Sequence, residues 1–92
     1  MCPVIEKFVS DVTFIQSNDY GDFMRQTNLY LNELDQELKR LPYKDIHEKI
    51  AEMKNYTQYH PTWNLEPTLK KILSDAHYID SLLHGHKQDW ES

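Results

Sequence analysis

A chain of 92 residues with 39% apolar and 27% charged side chains reads as one folded domain, 1–92, with a modest core. Two glycines are too few for a turn-rich sandwich or a phosphate-cradling loop, and the single cysteine, Cys2, excludes an intrachain disulfide and a cysteine zinc cluster. The net charge of −5, from 15 acidic and 10 basic residues, disfavours a nucleic acid as partner.

In the first segment Val4, Ile5, Phe8, Val9, Val12 and Ile15 recur every three or four residues, which predicts a helix over 3–16. Pro3 suits its first turn, where a backbone N–H would have no partner in any case. "QSNDYGD" then breaks it with residues that favour turns and caps. The strongest stripe follows: Tyr20, Phe23, Met24, Thr27, Leu31, Leu34, Leu38 and Leu41 predict a helix over 20–41. Asp19 is its expected N-cap, Asp22 favours the positive end of the helix dipole, and Lys39 and Arg40 the negative end. Pro42 stops the helix at Leu41, because the residue before a proline is pushed out of the α region.

Tyr43, Ile46, Ile50, Met53 and Tyr56 continue the pattern and predict a helix over 43–58. So short a link makes it an antiparallel neighbour of its predecessor. Beyond "YHPTWNLEP" (59–67), the apolar residues Leu65, Leu69, Ile72, Leu73, Ala76, Ile79, Leu82 and Leu83 predict a fourth helix over 66–84. Pro67 belongs in its first turn, Gly85 is the expected left-handed cap, and 86–92 is expected to be a frayed tail. The fold class is all-α, a small antiparallel four-helix bundle. A three-helix core with a loosely attached first helix is the alternative.

The 59–67 stretch concentrates aromatics, a histidine and two prolines between two helices. Its first six residues, "YHPTWN", resemble the His-His-Pro-x-aromatic-Asn signature of the pterin-4a-carbinolamine dehydratases. That resemblance implies an α+β fold and histidines acting on a bound pterin as acid–base groups, here His60. It covers six residues, Tyr59 stands where the family's first histidine belongs, and the following segment has helical rather than strand periodicity. Read from the residues alone, Trp63 is either a lid over one end of the bundle or a binding anchor, since aromatics are enriched at interface hot spots.

His77, Asp80 and His84 fall at i, i+3 and i+7, with His86 just beyond, a donor set that would suit zinc or iron. These positions lie beside or opposite the inward stripe, as a solvated polar face would. "HEKIAEM" supplies His47-Glu48 without the second histidine of a metalloprotease helix. No serine elbow, cysteine–histidine pair or paired-carboxylate signature stands out.

The chain is therefore expected to be a non-enzymatic, acidic protein-binding module, of which an inhibitor or immunity-type protein covering a basic surface is the specific form. Trp63, Tyr59, Tyr56 and Tyr43 are the expected partner-binding residues, with His60 beside them. No metal or cofactor is expected, and a homodimer stays open. No apolar run approaches the roughly 20 residues of a membrane span. The N-terminus lacks a signal-peptide core, so the reducing cytoplasm is the expected compartment. The competing expectation is a small metal-binding or pterin dehydratase-like enzyme using His60 and the His77/Asp80/His84 face.

Overall fold

The computed structural model describes residues 2–16, 19–59 and 65–91. Four helices follow in chain order: α1 (Pro3–Thr13), α2 (Tyr20–Leu38), α3 (Lys44–Tyr59) and α4 (Leu65–Glu91). No strand occurs among the described residues. The chain is all-α, and the α+β fold implied by the dehydratase resemblance is not the fold seen.

Each helix packs on two neighbours, α1 on α2 and α4, and α3 on α2 and α4. The side-chain links give the directions. Lys7 meets Glu33, Asp35 meets Lys54, and Asp45 meets His86, so each pairing runs antiparallel. The bundle measures 45 × 22 × 20 Å. Its long dimension is close to that of α4 alone, since 27 residues rise about 40 Å at 1.5 Å each.

The predicted stripes form the core. Ile5, Phe8 and Val12 come from α1; Phe23, Met24, Leu31, Leu34 and Leu38 from α2; Ile46, Ile50 and Met53 from α3; and Ile72, Ala76, Ile79 and Leu83 from α4. α1 is thus an integral wall of the bundle, not a loose attachment. Thr27, counted in the α2 stripe, is fully buried, and its Oγ1 has no hydrogen-bond partner among the described residues.

Helix ends differ from the predicted limits for local reasons. Pro3 occupies the first turn of α1 as expected. The helix stops at Thr13 rather than near 16, where Ile15 N–H closes a tight turn on the Val12 carbonyl at 3.3 Å. Asp19 caps α2 by accepting from Gly21 N–H at 3.3 Å. α2 ends at Leu38, and Leu41 N–H bonds the Leu38 carbonyl at 3.1 Å, so Lys39 and Arg40 lie past the last helical residue. His47 Nε2–H then donates to the Leu41 carbonyl at 2.6 Å, tying the start of α3 to the end of α2.

The largest departure is at Gly85. It has no positive φ and caps nothing: α4 passes through it to Glu91, across the stretch predicted as a tail. The physical reason lies at the next residue, His86, which is held from outside the helix.

Candidate functional site

The seam between α3 and α4 holds most of the chemistry-bearing side chains. On α3, residues 45, 49, 52 and 56 repeat at i, i+4, i+7 and i+11, which places them on one face. At one end His86 Nε2 donates to both Asp45 oxygens, at 3.1 and 3.0 Å, while its ring stacks on Tyr43 at 3.9 Å between centroids and 7° between planes. This contact fixes the backbone just past Gly85 and lets helical hydrogen bonding continue. The His86 hydrogen bond, helped by Ile46 N–H, holds the Asp45 carboxyl below the ordinary carboxylate range despite some desolvation.

About three turns from His86 along α4, Asp75 is buried, with Lys49 Nζ at 3.3 Å and Lys71 Nζ at 3.1 Å. Lys49 also pairs with Glu52 at 3.1 Å and lies 5.1 Å from the Tyr78 ring centre; Lys71 lies 5.0 Å from that of Tyr56. Desolvation pulls the Lys49 ammonium down, but Glu52 and Asp75 together outweigh it and hold it above its ordinary value. The order along the seam is aromatic, cation, carboxylate, cation, aromatic. Every charge in it is answered by a neighbour.

Of the predicted partner-binding residues, Tyr56 lies on this seam within α3 and Tyr43 at the residue just before α3, thirteen positions away. Both are half-buried and already engaged, Tyr43 by His86 and Tyr56 by Lys71. Tyr59 is the last residue of α3. Its side chain, together with His60 and Trp63, lies outside the described residues, as does the rest of "HPTWN" (60–64).

The His77/Asp80/His84 set is not brought together as a metal site. Asp80 Oδ1 accepts the Cys2 N–H at 2.8 Å, so the carboxylate caps the start of α1 and faces its positive dipole end. His84 Nε2 lies 3.5 Å from the other Asp80 oxygen, while His77 is exposed. Among the described residues no three His, Cys, Asp or Glu side chains are grouped to hold an ion.

An open groove of about 510 Å³ runs between α1 and α2, and nothing in the sequence periodicity signals it. Val4, Phe8, Tyr30 and Leu34 form its apolar floor. Phe8 and Leu34 are core residues, whereas Val4 and Tyr30 are half-buried and still touch water. The charged rim carries Asp11, Glu33 and Glu37 with one cation, Lys7. Lys7 Nζ reaches Asp11 at 2.9 Å and Glu33 at 3.5 Å; Asp11 chiefly, then Glu33, holds its ammonium above its ordinary value. Glu37 has no ion-pair partner among the described residues.

Comparison with known proteins finds no matching family model, no matching curated protein and no matching solved structure. No helix among the described residues is long and apolar enough to cross a membrane.

Proposed function

We propose that this chain is a protein-binding module that works by docking, with no catalytic chemistry of its own. The α1–α2 groove carries the proposal: a concave surface with an apolar floor and a rim with excess negative charge, on a domain whose other described ionic clusters are internally paired. Covering Val4 and Tyr30 would remove apolar surface from water, and the rim would speed encounter with a positively charged partner. Net charge, size and groove together favour an inhibitor or immunity-type role against a basic surface. A cytoplasmic setting accords with the single cysteine.

The enzyme alternative has less to draw on. His86 and Asp45 form a hydrogen-bonded pair, but the Tyr43 ring covers one face of the imidazole and the pair acts as a clasp between α3 and α4. Asp80 is committed to the α1 terminus.

The test uses three versions of the whole protein as bait in native lysate: wild type, Glu37→Lys and Trp63→Ala. Glu37 is exposed, so Glu37→Lys should leave the melting temperature nearly unchanged. Loss of a captured protein with Glu37→Lys alone supports the groove. Loss with Trp63→Ala alone, in a variant that remains folded, moves the docking site to the 59–67 loop. A partner retained by both variants removes the groove and the loop as its docking site, and no partner at all removes the docking proposal.

A further inference from the structure

We infer that the occupant of the α1–α2 groove is a short, basic amphipathic helix of another protein, an inference that rests on the docking proposal above. Both walls of the groove are helices, and a third helix can seat its side-chain ridge between them, burying apolar residues spaced at i, i+3 or i+4, and i+7. Along α1 the groove is lined from Pro3 to Asp11, about 12 Å at 1.5 Å per residue, which accommodates roughly two turns of a docked helix. The occupant is thus short, with two or three apolar anchors.

Charge selects the sign of its flanks. Three rim carboxylates face one ammonium, and Lys7 is already held by Asp11 and Glu33. A docked helix bearing Lys or Arg on either side of its apolar stripe would meet Glu33 and Glu37 on the α2 wall and Asp11 on the α1 wall. A helix flanked by carboxylates would meet repulsion. The same argument disfavours a second copy of this chain, which carries a net charge of −5. The described residues offer no strand edge for an extended peptide to extend.

Lys7 provides a diagnostic of opposite sign. Removing it leaves the floor intact and makes the rim more negative, so binding of a basic helix must tighten where a merely damaged surface would weaken.

The experiment titrates the intact protein with fluorescent 14-residue peptides at low and moderate salt. The probes are a leucine–lysine helix with its leucines on one stripe, the same composition scrambled to destroy the stripe, and a leucine–glutamate helix. The striped lysine peptide is expected to bind, and the other two about tenfold more weakly or not at all. Glu33→Gln with Glu37→Gln should weaken the striped peptide about tenfold and flatten its salt dependence, while Lys7→Gln should tighten it about threefold. Glu66→Gln, on the exposed start of α4, should change nothing.

Equal binding of the glutamate or scrambled peptide overturns the inference, as does indifference to the rim variants. A concentration-dependent dimer in sedimentation that Glu37→Lys disperses would assign the groove to a second copy and overturn it too. If lysate capture depends on Glu37 while the lysine peptide fails to bind, docking stands and the basic-helix inference falls. If neither is seen, both fall.

Discussion

The α3–α4 seam and the α1–α2 groove are the same kind of contact, an antiparallel pair of neighbouring helices in one bundle, with opposite outcomes. In the seam, long side chains reach across and lock: Lys49 of α3 meets Asp75, Lys71 of α4 lies over the Tyr56 ring, and His86 closes on Asp45 and Tyr43. In the groove, Pro3, Val4 and Tyr30 line an open space, and the cross-helix Lys7–Glu33 contact at 3.5 Å joins exposed groups on the rim. α1 is also short, 11 residues against 19 in α2. A bundle of this size can close one seam with its own polar groups and leave another concave, apolar and unevenly charged. The open one is the docking surface proposed above.

The largest expected effects lie in the core beneath the two surfaces. Ile72 is 1% exposed among the apolar residues of α4, and truncation to Ala should leave a closed cavity costing about 3–5 kcal/mol. Leu34 is almost as buried at 2%, but it also lines the groove. Leu34→Ala should deepen an open groove rather than leave a sealed void, placing its cost near the lower end, about 2–3 kcal/mol. Denaturant melts of the two variants measure the difference directly. A Leu34→Ala cost equal to or above that of Ile72→Ala would mean the groove is closed in solution.

The second test compares charge in the two places. Asp75→Ala strands two lysines, but Lys71 is 41% exposed and Lys49 keeps Glu52. The cost should be about 1–3 kcal/mol, below the roughly 3–5 kcal/mol of breaking a fully buried pair. Glu33→Gln on the groove rim should stay within about 0.5 kcal/mol, because both it and Lys7 are well solvated. Similar costs at the two sites would erase the distinction between a seam that holds the fold and a rim that does not.

Most of the fold was legible because apolar spacing is a local property. Ile5, Phe8 and Val12, or Ile72, Ala76 and Ile79, are buried where a 3.6-residue period puts them, and Asp19 caps α2 as its residue type suggests. Gly85 departs from the local capping rule because of a distant contact: His86 binds a carboxylate 41 positions away. The same separation hid the roles of Tyr43, Asp75 and Asp80, each set by a partner on another helix. The groove was invisible for a different reason. It is an open space between two helices, and no motif records a space.

Gly85 makes that lesson measurable. A glycine inside a helix costs roughly 0.5–1 kcal/mol relative to alanine, and a methyl group added at Gly85 meets nothing within 4 Å. Gly85→Ala should therefore stabilise the protein by about that amount. A destabilised variant would restore the left-handed cap and release α4 from the seam beyond Leu83.

The smallest effect expected is the pH response of the clasp. Asp45 accepts from His86 first and from Ile46 N–H second, and its folded pKa lies below the ordinary value of 3.8. A carboxyl of this kind stabilises the fold above its unfolded pKa, and the contribution is lost as pH falls through the folded value. The stability gap between wild type and Asp45→Asn should thus be present near pH 5, narrow as the pH falls below the ordinary carboxylate value of 3.8, and close only below the depressed folded value, where Asp45 is protonated. Because the Asp45 and His86 side chains are 46% and 28% exposed, the gap should also shrink with added salt. In a His86→Ala background, only the part owed to the Ile46 amide should remain. A gap that widens toward low pH, or one that ignores His86, would break the link between the clasp and the continuation of α4, and with it the account of why this seam is closed.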